Sequence, residues 1–496
     1  MSTGQAVFIR SMPDSLAAPC SEDPEAAHRR PSFLSTYSFG QKDRRETIDT
    51  TASQAVREEK EREDDLETVL DTSIDAKPYD ESGKRTYERA CVKMGVTPIS
   101  CCLRQLESAQ TLDLSFYGLS ARGVIPVAMA LMINSNITRL LLPGNSLGVK
   151  GFNYIQKMME DNGSIVELDL SSNNLLTEGM LAVVEMLKTN KSLIDLNLGD
   201  NGFVESDSYA LAKALENNGR LQTLNLSKNH FGDESAHAFS HMIAENTGLQ
   251  DLDLSWNHFR NKGGKYLAKG LGENPALKRL DLSWNGLEDE GATALGKALS
   301  SNGVLVEIDL SCNRIGPKGA LELLKCFRSN DSLEILRIGK NIINDESATA
   351  MMAYLMKLTG LKLQLLDMSD IILSSAIEPR IQEVKDLNEG LEIVHGYTDS
   401  YGKRKLVSYD MTEEAIRIMQ EYCNNNNMSM VDMFTKFDAD GSMSVTHDEF
   451  RQGLKEAKIP LSANQIDQLI ADLDRDGDGE IDFSELVITT EEKTGD

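Results

Sequence analysis

The sequence predicts an α/β solenoid, with parallel strands on its inside and helices on its outside, followed by a small all-α domain. Three observations carry that expectation. An asparagine returns every 28 residues through the middle of the chain. Leucines alternate just before it, and an amphipathic stretch follows it. Near the end, two acid-rich segments of twelve residues share one spacing of oxygen-bearing side chains.

The repeat is read from Asn145, Asn173, Asn201, Asn229, Asn257, Asn285, Asn313 and Asn341, in text such as IVELDLSSNNL, LQDLDLSWNHF and LKRLDLSWNGL. An earlier copy, AQTLDLSFYGL, puts Tyr117 in the asparagine slot, and a later one, LQLLDMSDIIL, puts Ile371 there after a 30-residue step. Leucines such as Leu168 and Leu170 alternate inward on a short strand, with Asp169 between them pointing out. The slot asparagine can satisfy buried backbone groups where the chain leaves the strand. The second half of each repeat is helical, with Ala294, Leu295, Ala298 and Leu299 as one inner stripe. A second asparagine series (Asn134, Asn162, Asn190, Asn218, Asn246, Asn274, Asn302, Asn330) falls at each helix end. A left-handed cap is expected there. No single copy buries its own faces, so the copies stack.

The 28-residue length and the helix in each copy resemble the ribonuclease-inhibitor type of leucine-rich repeat, over roughly residues 109–395. The resemblance implies a curved solenoid over 109–398, but such solenoids serve many purposes. Before it, residues 1–78 are expected to form a disordered acidic tail. The first 80 residues hold 17 acids against 10 bases, and the run REEKEREDDLE cannot offset its ordering entropy. Residues 79–108 read as a helical cap, with Tyr87, Ala90, Cys91 and Met94, then Ile99, Cys102, Leu103 and Leu106, at helical spacing.

After the array, LEIVHG (391–396) reads as a last strand. Residues 399–428 form a polar linker with a short helix, opened by Asp410 with Glu413 three residues on. The remainder, 429–496, is expected to be an EF-hand pair. Asp474, Asp476, Asp478, the carbonyl of Glu480 and a bidentate Glu485 give the oxygen spacing of a calcium loop, with Gly479 at its turn and Ile481 for the bridge to a partner loop. Asp482 is expected to act through water. An earlier loop offers Asp438, Asp440, Ser442, Ser444 and Glu449, with Val445 matching Ile481. Its turn position holds Met443 rather than glycine, at a cost on the order of 1–2 kcal/mol. With fewer ligand charges as well, it is expected to be the weaker site. Met428, Met430 and Met433 are open to two readings, a target groove or ordinary core packing.

Net charge is −27, which disfavours direct nucleic-acid binding. No apolar run approaches the ~18 residues a membrane crossing needs, so no membrane insertion is expected. Met1 to Cys20 lacks the layout of a secretory signal. A cytoplasmic location is therefore expected, with a cilium or another intracellular site left open. The seven cysteines match no zinc or disulfide framework, and the vicinal pair Cys101–Cys102 is read as reduced. On the concave side, Asp113, Asp169, Asp253, Asp281 and Asp309 line up with Glu167, Asp195, Asp251 and Glu307. Strand spacing of about 4.8 Å makes these acidic columns. Lys157, Lys213, Lys269, Lys297 and Lys325 share an outward helical position.

Both tryptophans, Trp256 and Trp284, occupy one slot in adjacent copies beside Asp253 and Asp281. Aromatics beside charges suggest a hot spot for a basic protein segment. His237 and His241 sit four apart on one helix face, the spacing of a metal half-site, but no third ligand is evident. No nucleophile elbow, phosphate loop or metal triad appears, so no catalysis is expected. The reading is a calcium-binding, non-enzymatic interaction scaffold. The array also resembles that of the Ran GTPase-activating proteins, which implies GTPase activation as the alternative. The combination of cap, array and EF-hand tail is most similar to the vertebrate group called leucine-rich-repeat-containing protein seventy-four.

Overall fold

The computed structural model describes residues 80–388, 390–398, 404–405, 410–426, 428–438, 442, 444–459, 461, 463–475 and 479–494. The tail expected over 1–78 lies outside them. Two helices open the described chain, α1 (Lys84–Met94) and α2 (Ser100–Ser108). Tyr87, Ala90, Cys91, Cys102 and Leu106 are buried, with Met94, Ile99 and Leu103 half-buried at the margin of the stripe. The Tyr87 ring packs inward while its hydroxyl accepts the Ile99 N–H at 3.1 Å, just before α2 begins.

Strand and helix then alternate: β1 (Thr111–Asp113), α3 (Ser120–Leu131), β2 (Arg139–Leu141), α4 (Gly148–Asp161), β3 (Glu167–Asp169), α5 (Leu176–Thr189), β4 (Asp195–Asn197), α6 (Ser208–Glu216), β5 (Thr223–Asn225) and α7 (Asp233–Glu245). There follow β6 (Asp251–Asp253), α8 (Asn261–Glu273), β7 (Arg279–Asp281), α9 (Glu288–Leu299), β8 (Glu307–Asp309), α10 (Pro317–Leu324), β9 (Ile335–Arg337), α11 (Asp345–Leu355), β10 (Leu365–Leu373), α12 (Glu378–Leu387) and β11 (Glu392–Thr398). The strands pair in sequence order and in parallel. The exception is β12 (Arg404–Lys405), part of the expected linker, which folds back antiparallel on β11. Leu112, Leu140, Leu168, Leu196, Leu224, Leu252 and Leu280 stack in register at the strand centres, all buried.

The slot asparagines form a ladder. Asn173 donates from Nδ2 to the carbonyls of Leu170 (2.9 Å), Ser171 (3.0 Å) and Leu142 in the preceding repeat (2.9 Å). Its Oδ1 accepts the N–H groups of Asn145 (3.1 Å) and Leu147 (3.3 Å). Asn145 and Asn201 repeat the scheme. The side chain thus pairs backbone groups that a buried turn would otherwise leave unmet. The ladder runs between Tyr117, half exposed, and Ile371, buried, neither of which carries an amide to continue it.

The second asparagine departs from expectation. Asn162, Asn190, Asn246 and Asn274 end their helices in extended backbone, with φ between −79 and −70. None is left-handed. Instead, Oδ1 of Asn162 accepts the N–H groups of Ser164 (2.8 Å) and Ile165 (2.9 Å), and Nδ2 reaches the Leu131 carbonyl at 2.8 Å. The side chain replaces a backbone turn, so no positive φ is needed.

The position that is left-handed in every copy lies elsewhere, immediately before the slot. Phe116, Gly144, Ser172, Asp200, Lys228, Trp256, Trp284, Cys312, Lys340 and Asp370 all have φ between 51 and 66. Except for Asp370, which lies within β10, each turns the chain off its strand while its N–H still bonds the next repeat, as Trp256 does to Ser283 (3.0 Å) and Trp284 to Ser311 (2.9 Å). Their side chains touch from repeat to repeat: Ser172 Oγ donates to Asp200 at 2.9 Å, and Lys340 pairs with Asp370 at 2.9 Å. They form a ridge beside the strands.

The C-terminal region is all-α with one small ribbon. Helix α13 (Met411–Asn425) opens at Asp410, whose carboxylate accepts the N–H groups of Thr412 (2.9 Å) and Glu413 (3.1 Å). Next come α14 (Met430–Phe437), β13 (Ser444–Thr446), α15 (His447–Ala457), α16 (Ala463–Leu473), β14 (Glu480–Asp482) and α17 (Phe483–Thr494). Met433, Phe434, Phe450, Leu469, Leu473 and Ile481 are central to a second core, separate from that of the solenoid. Met433 is buried in it, with Met428 and Met430 packed at its edge.

Candidate functional site

The two acidic loops are held together by β13 and β14. Val445 lies opposite Ile481, Ser444 opposite Asp482 and Thr446 opposite Glu480. Val445 and Ile481 are fully buried, so each loop is anchored at its eighth position.

In the later loop, Gly479 has φ 91, the region that favours glycine. Its N–H donates to Asp474 Oδ2 at 3.2 Å. Glu485, buried, accepts the Arg475 N–H at 2.8 Å and the Asp482 N–H at 3.0 Å, so the twelfth position closes over the start of the loop. Asp476 and Asp478 lie outside the described residues. The Asp474 and Glu485 carboxylates are held back by backbone donors and supply oxygen alone, a donor set that fits a hard divalent cation. Asp474, Asp476, Asp478, the Glu480 carbonyl and Glu485 would hold calcium, which when bound neutralises part of the charge these acids gather. Asp482 takes a more local part. It accepts from Ser484 Oγ (2.5 Å) and from the N–H groups of Ser484 (2.8 Å) and Glu485 (3.0 Å), capping α17. The Ser484 hydroxyl and the Glu485 amide hold its carboxyl below the usual range.

In the earlier loop, Asp440 and Met443 lie outside the described residues. Asp438 accepts the Ser442 N–H at 3.1 Å, and the Ser442 hydroxyl donates to the Ser444 carbonyl at 3.1 Å. Glu449 accepts from Thr446, through its N–H (3.0 Å) and hydroxyl (2.8 Å), and is half-buried where Glu485 is buried. The Ser444 hydroxyl bonds the Glu480 carboxylate across the ribbon. Linear spacing gave no sign of His447. The β pairing carries this tenth residue of the first loop to the first residue of the second, where its Nε2 lies 2.9 Å from Asp474 Oδ2.

On the solenoid, Trp256 and Trp284 stack with ring centroids 4.0 Å apart at 12°. They remain 46% and 42% exposed. Lys340 Nζ lies 5.7 Å from the Trp284 ring centre. Beside them Asp253, Asp281 and Asp309 are in register on adjacent strands. Burial, then the neighbouring charges of Asp309 and Asp253, push the Asp281 carboxyl up to about 7. Burial likewise raises Asp309. These groups line a concavity of about 330 Å³ with Asp251, Arg279 and Arg337.

The expected acidic columns are therefore interrupted. Arg139 pairs with Glu167 at 2.7 Å, Arg279 with Asp251 at 2.8 Å, and Arg337 with both Glu307 (3.0 Å) and Asp367 (3.2 Å). Burial works against the Arg337 charge, but Glu307 and Asp367 outweigh it and raise its pKa. The signal was present in the repeats: Arg279 stands where the preceding copy has Asp251, and Arg337 where it has Asp309.

The outward lysines are exposed; Lys213 pairs with Glu216 (2.9 Å) and Lys325 with Glu322 (2.5 Å), each an acid three residues away. His237 and His241 do not converge. His237 packs edge-on to Tyr266, and His241 bonds Glu216 at 3.0 Å. Cys102 is buried, and burial pushes its thiol up to about 12. That environment keeps it protonated and unreactive.

Fold and loops together define a leucine-rich-repeat solenoid joined to a calcium-binding EF-hand pair. The leucine-rich-repeat family model matches residues 162–184, 220–240, 245–268, 273–296 and 301–324, and the EF-hand domain pair model matches 428–489. Among curated proteins, the chain is 27% identical over 121 residues to calcium-dependent protein kinase 34 of Arabidopsis thaliana, covering 24% of this chain and 19% of the kinase. It is 36% identical over 63 residues to the probable calcium-binding protein CML20 of the same plant, covering 13% and 37% of the two chains. It is 33% identical over 60 residues to calcium-binding protein SPEC 2C of Strongylocentrotus purpuratus, covering 12% and 40%. The chain thus spans about a fifth of the first of these relatives. The solved structure of a Rad7 and Elc1 complex in yeast is similar at a TM-score of 0.42 and 14% identity, covering 75% of this chain and 98% of that one, too distant to bear on function.

Proposed function

We propose that this protein is a non-enzymatic, calcium-binding interaction scaffold whose solenoid takes a basic protein segment on the face around Trp256, Trp284, Asp253 and Asp281. One observation carries the reading. Two bulky aromatics occupy adjacent left-handed positions, where glycine is favoured, and leave nearly half their surface in water. They pack on each other rather than into the core, beside carboxyls whose own repulsion a cation would relieve. An arginine suits both features, since its guanidinium stacks on indole and forks onto carboxylates. Arg337 already bridges Glu307 and Asp367 in this way within the chain.

The test is partner recovery by the full chain and by a Trp256→Asn, Trp284→Asn variant, asparagine being tolerant of the left-handed backbone. Loss of a basic partner in the variant is expected. Equal recovery with equal thermal stability would refute the reading.

A further inference from the structure

We propose that the turn edge of the solenoid from Lys228 to Arg314, which follows the ridge in each copy, binds an acidic peptide segment. The turns 228–232, 256–260, 284–288, 312–316 and 340–344 hold four bases (Lys228, Arg260, Arg314 and Lys340) against one acid, Glu288. The chain as a whole carries −27. Lys340 is committed to Asp370. Lys228, Arg260 and Arg314 are exposed and make no ion pair among the described residues. The arginines on the strands behave otherwise, for Arg139, Arg279 and Arg337 are each paired with a carboxylate of this chain. Cations left bare on so acidic a chain are available to a carboxylate brought from outside.

Backbone bonds fix the edge from copy to copy. The His230, His258 and Gly286 N–H groups donate to the carbonyls of Phe203 (2.8 Å), Phe231 (2.7 Å) and Phe259 (2.7 Å). Asp233 Oδ1 accepts the amides of Arg260 (2.9 Å) and Gly263 (2.7 Å), so this nearby acid is already engaged with backbone. His230 and His258 stack with ring centroids 5.4 Å apart, Nδ1 of the first lying 3.4 Å from Nε2 of the second. Two depressions of about 490 and 200 Å³ open along the edge and share His258 and Arg260. His230 lines the larger and Arg314 the smaller. Each therefore sets a guanidinium, which forks onto a carboxylate, beside an imidazole.

The surroundings favour a peptide over a nucleic acid. Asp253 and Asp281 stand on the neighbouring strands, and they repel a polyanion charged along its whole length. An extended peptide presents alternate side chains to one face, so it can direct carboxylates at the edge and keep charge off its other side. The edge uses none of the groups assigned to the concave face, so this proposal stands or falls apart from that reading.

The experiment titrates fluorescein-labelled hexaglutamate into the full chain at low salt, read by anisotropy. Binding to wild type is expected, and binding about tenfold weaker or worse to an Arg260→Gln, Arg314→Gln variant. A Lys213→Gln, Lys325→Gln variant, which removes the same charge from the outer helices, should bind as wild type does. No binding to wild type, or an equal loss in both double variants, overturns the proposal. The Trp256→Asn, Trp284→Asn variant should keep the probe; losing it would put the anion on the indoles instead and overturn the proposal too. If the arginine variant fails to fold, the histidine ring signals of wild type in nuclear magnetic resonance decide. Those of His230 and His258 must move with added peptide while those of His237 and His241 hold still, and any other pattern overturns the proposal.

Discussion

Replacing Asn173 by alanine isolates what one rung of the ladder contributes. The three carbonyls it serves each keep another donor: Leu142 retains Asn145 Nδ2 (3.0 Å), Leu170 retains Asn201 Nδ2 (3.0 Å) and Ser171 retains the Gly144 N–H (2.9 Å). The amides of Asn145 and Leu147 point at Asn173 Oδ1 in a buried turn and lose that acceptor. An orphaned buried donor costs about 1–3 kcal/mol, so two give roughly 2–6, with about 4 kcal/mol as the central value. Asn285 supplies an internal comparison. Its Oδ1 accepts one amide, that of Phe259 at 3.0 Å, and it is half-buried. Asn285→Ala should therefore cost about half as much. Urea unfolding followed by far-UV circular dichroism measures both, on the transition that reports the array. A loss below about 1 kcal/mol for Asn173→Ala, or a loss no greater than that of Asn285→Ala, would refute the reasoning.

Other expectations concern charge and calcium. The Asp281 carboxyl titrates near 7 in the folded chain against 3.8 unfolded, so between those values the folded state holds the extra proton. Wild-type stability should fall as pH rises through that window and level off above it. Asp281→Asn should lose that slope and gain on wild type toward pH 8, read by thermal melts. The residue change suits the turn, because Asn225 already accepts its Ser227 N–H at 2.8 Å in the same column. Gly479→Ala forces a side chain into φ 91 and should weaken the tighter calcium transition by about tenfold, the equivalent of ~1.4 kcal/mol, in a calorimetric titration. Glu485→Gln should abolish that transition, whereas Glu449→Gln should spare it. The opposite pattern would mean that the earlier loop is the stronger one.

The solenoid was legible because its determinants are local and periodic: leucines at every second strand position and one amide per turn, repeated until chance is excluded. The acid spacing of 474–485 was legible for the same reason. What escaped was whatever depends on neighbours across repeats. The second asparagine looked like a left-handed cap because asparagine favours that region, yet its side chain builds the turn itself and leaves the backbone extended. The residue before the slot is Gly or Asp in three copies but Phe, Ser, Lys, Trp or Cys in the other seven, types that give no local hint of positive φ. Arg279 and Arg337 were readable as charges, but their pairing partners become apparent only once adjacent strands are laid side by side. Helix α13 was legible as a capped helix. Its burial against a domain that follows it in sequence was not.

The ridge before the slot has one further consequence. Elsewhere the repeats are nearly monotonous, since strand, turn and inner helix face must each fit the copy beside them. The ridge is freer of that demand, because beside the ladder asparagines its backbone shape is held by the turn, although Gly144 leaves no room for a side chain beside the Phe116 ring. From Phe116 to Asp370 it spells Phe, Gly, Ser, Asp, Lys, Trp, Trp, Cys, Lys, Asp. Apart from Gly144, where a Cβ would meet the Phe116 ring, this line of text can be rewritten with little redrawing of the page. If the protein tells one partner from another, its vocabulary is written there.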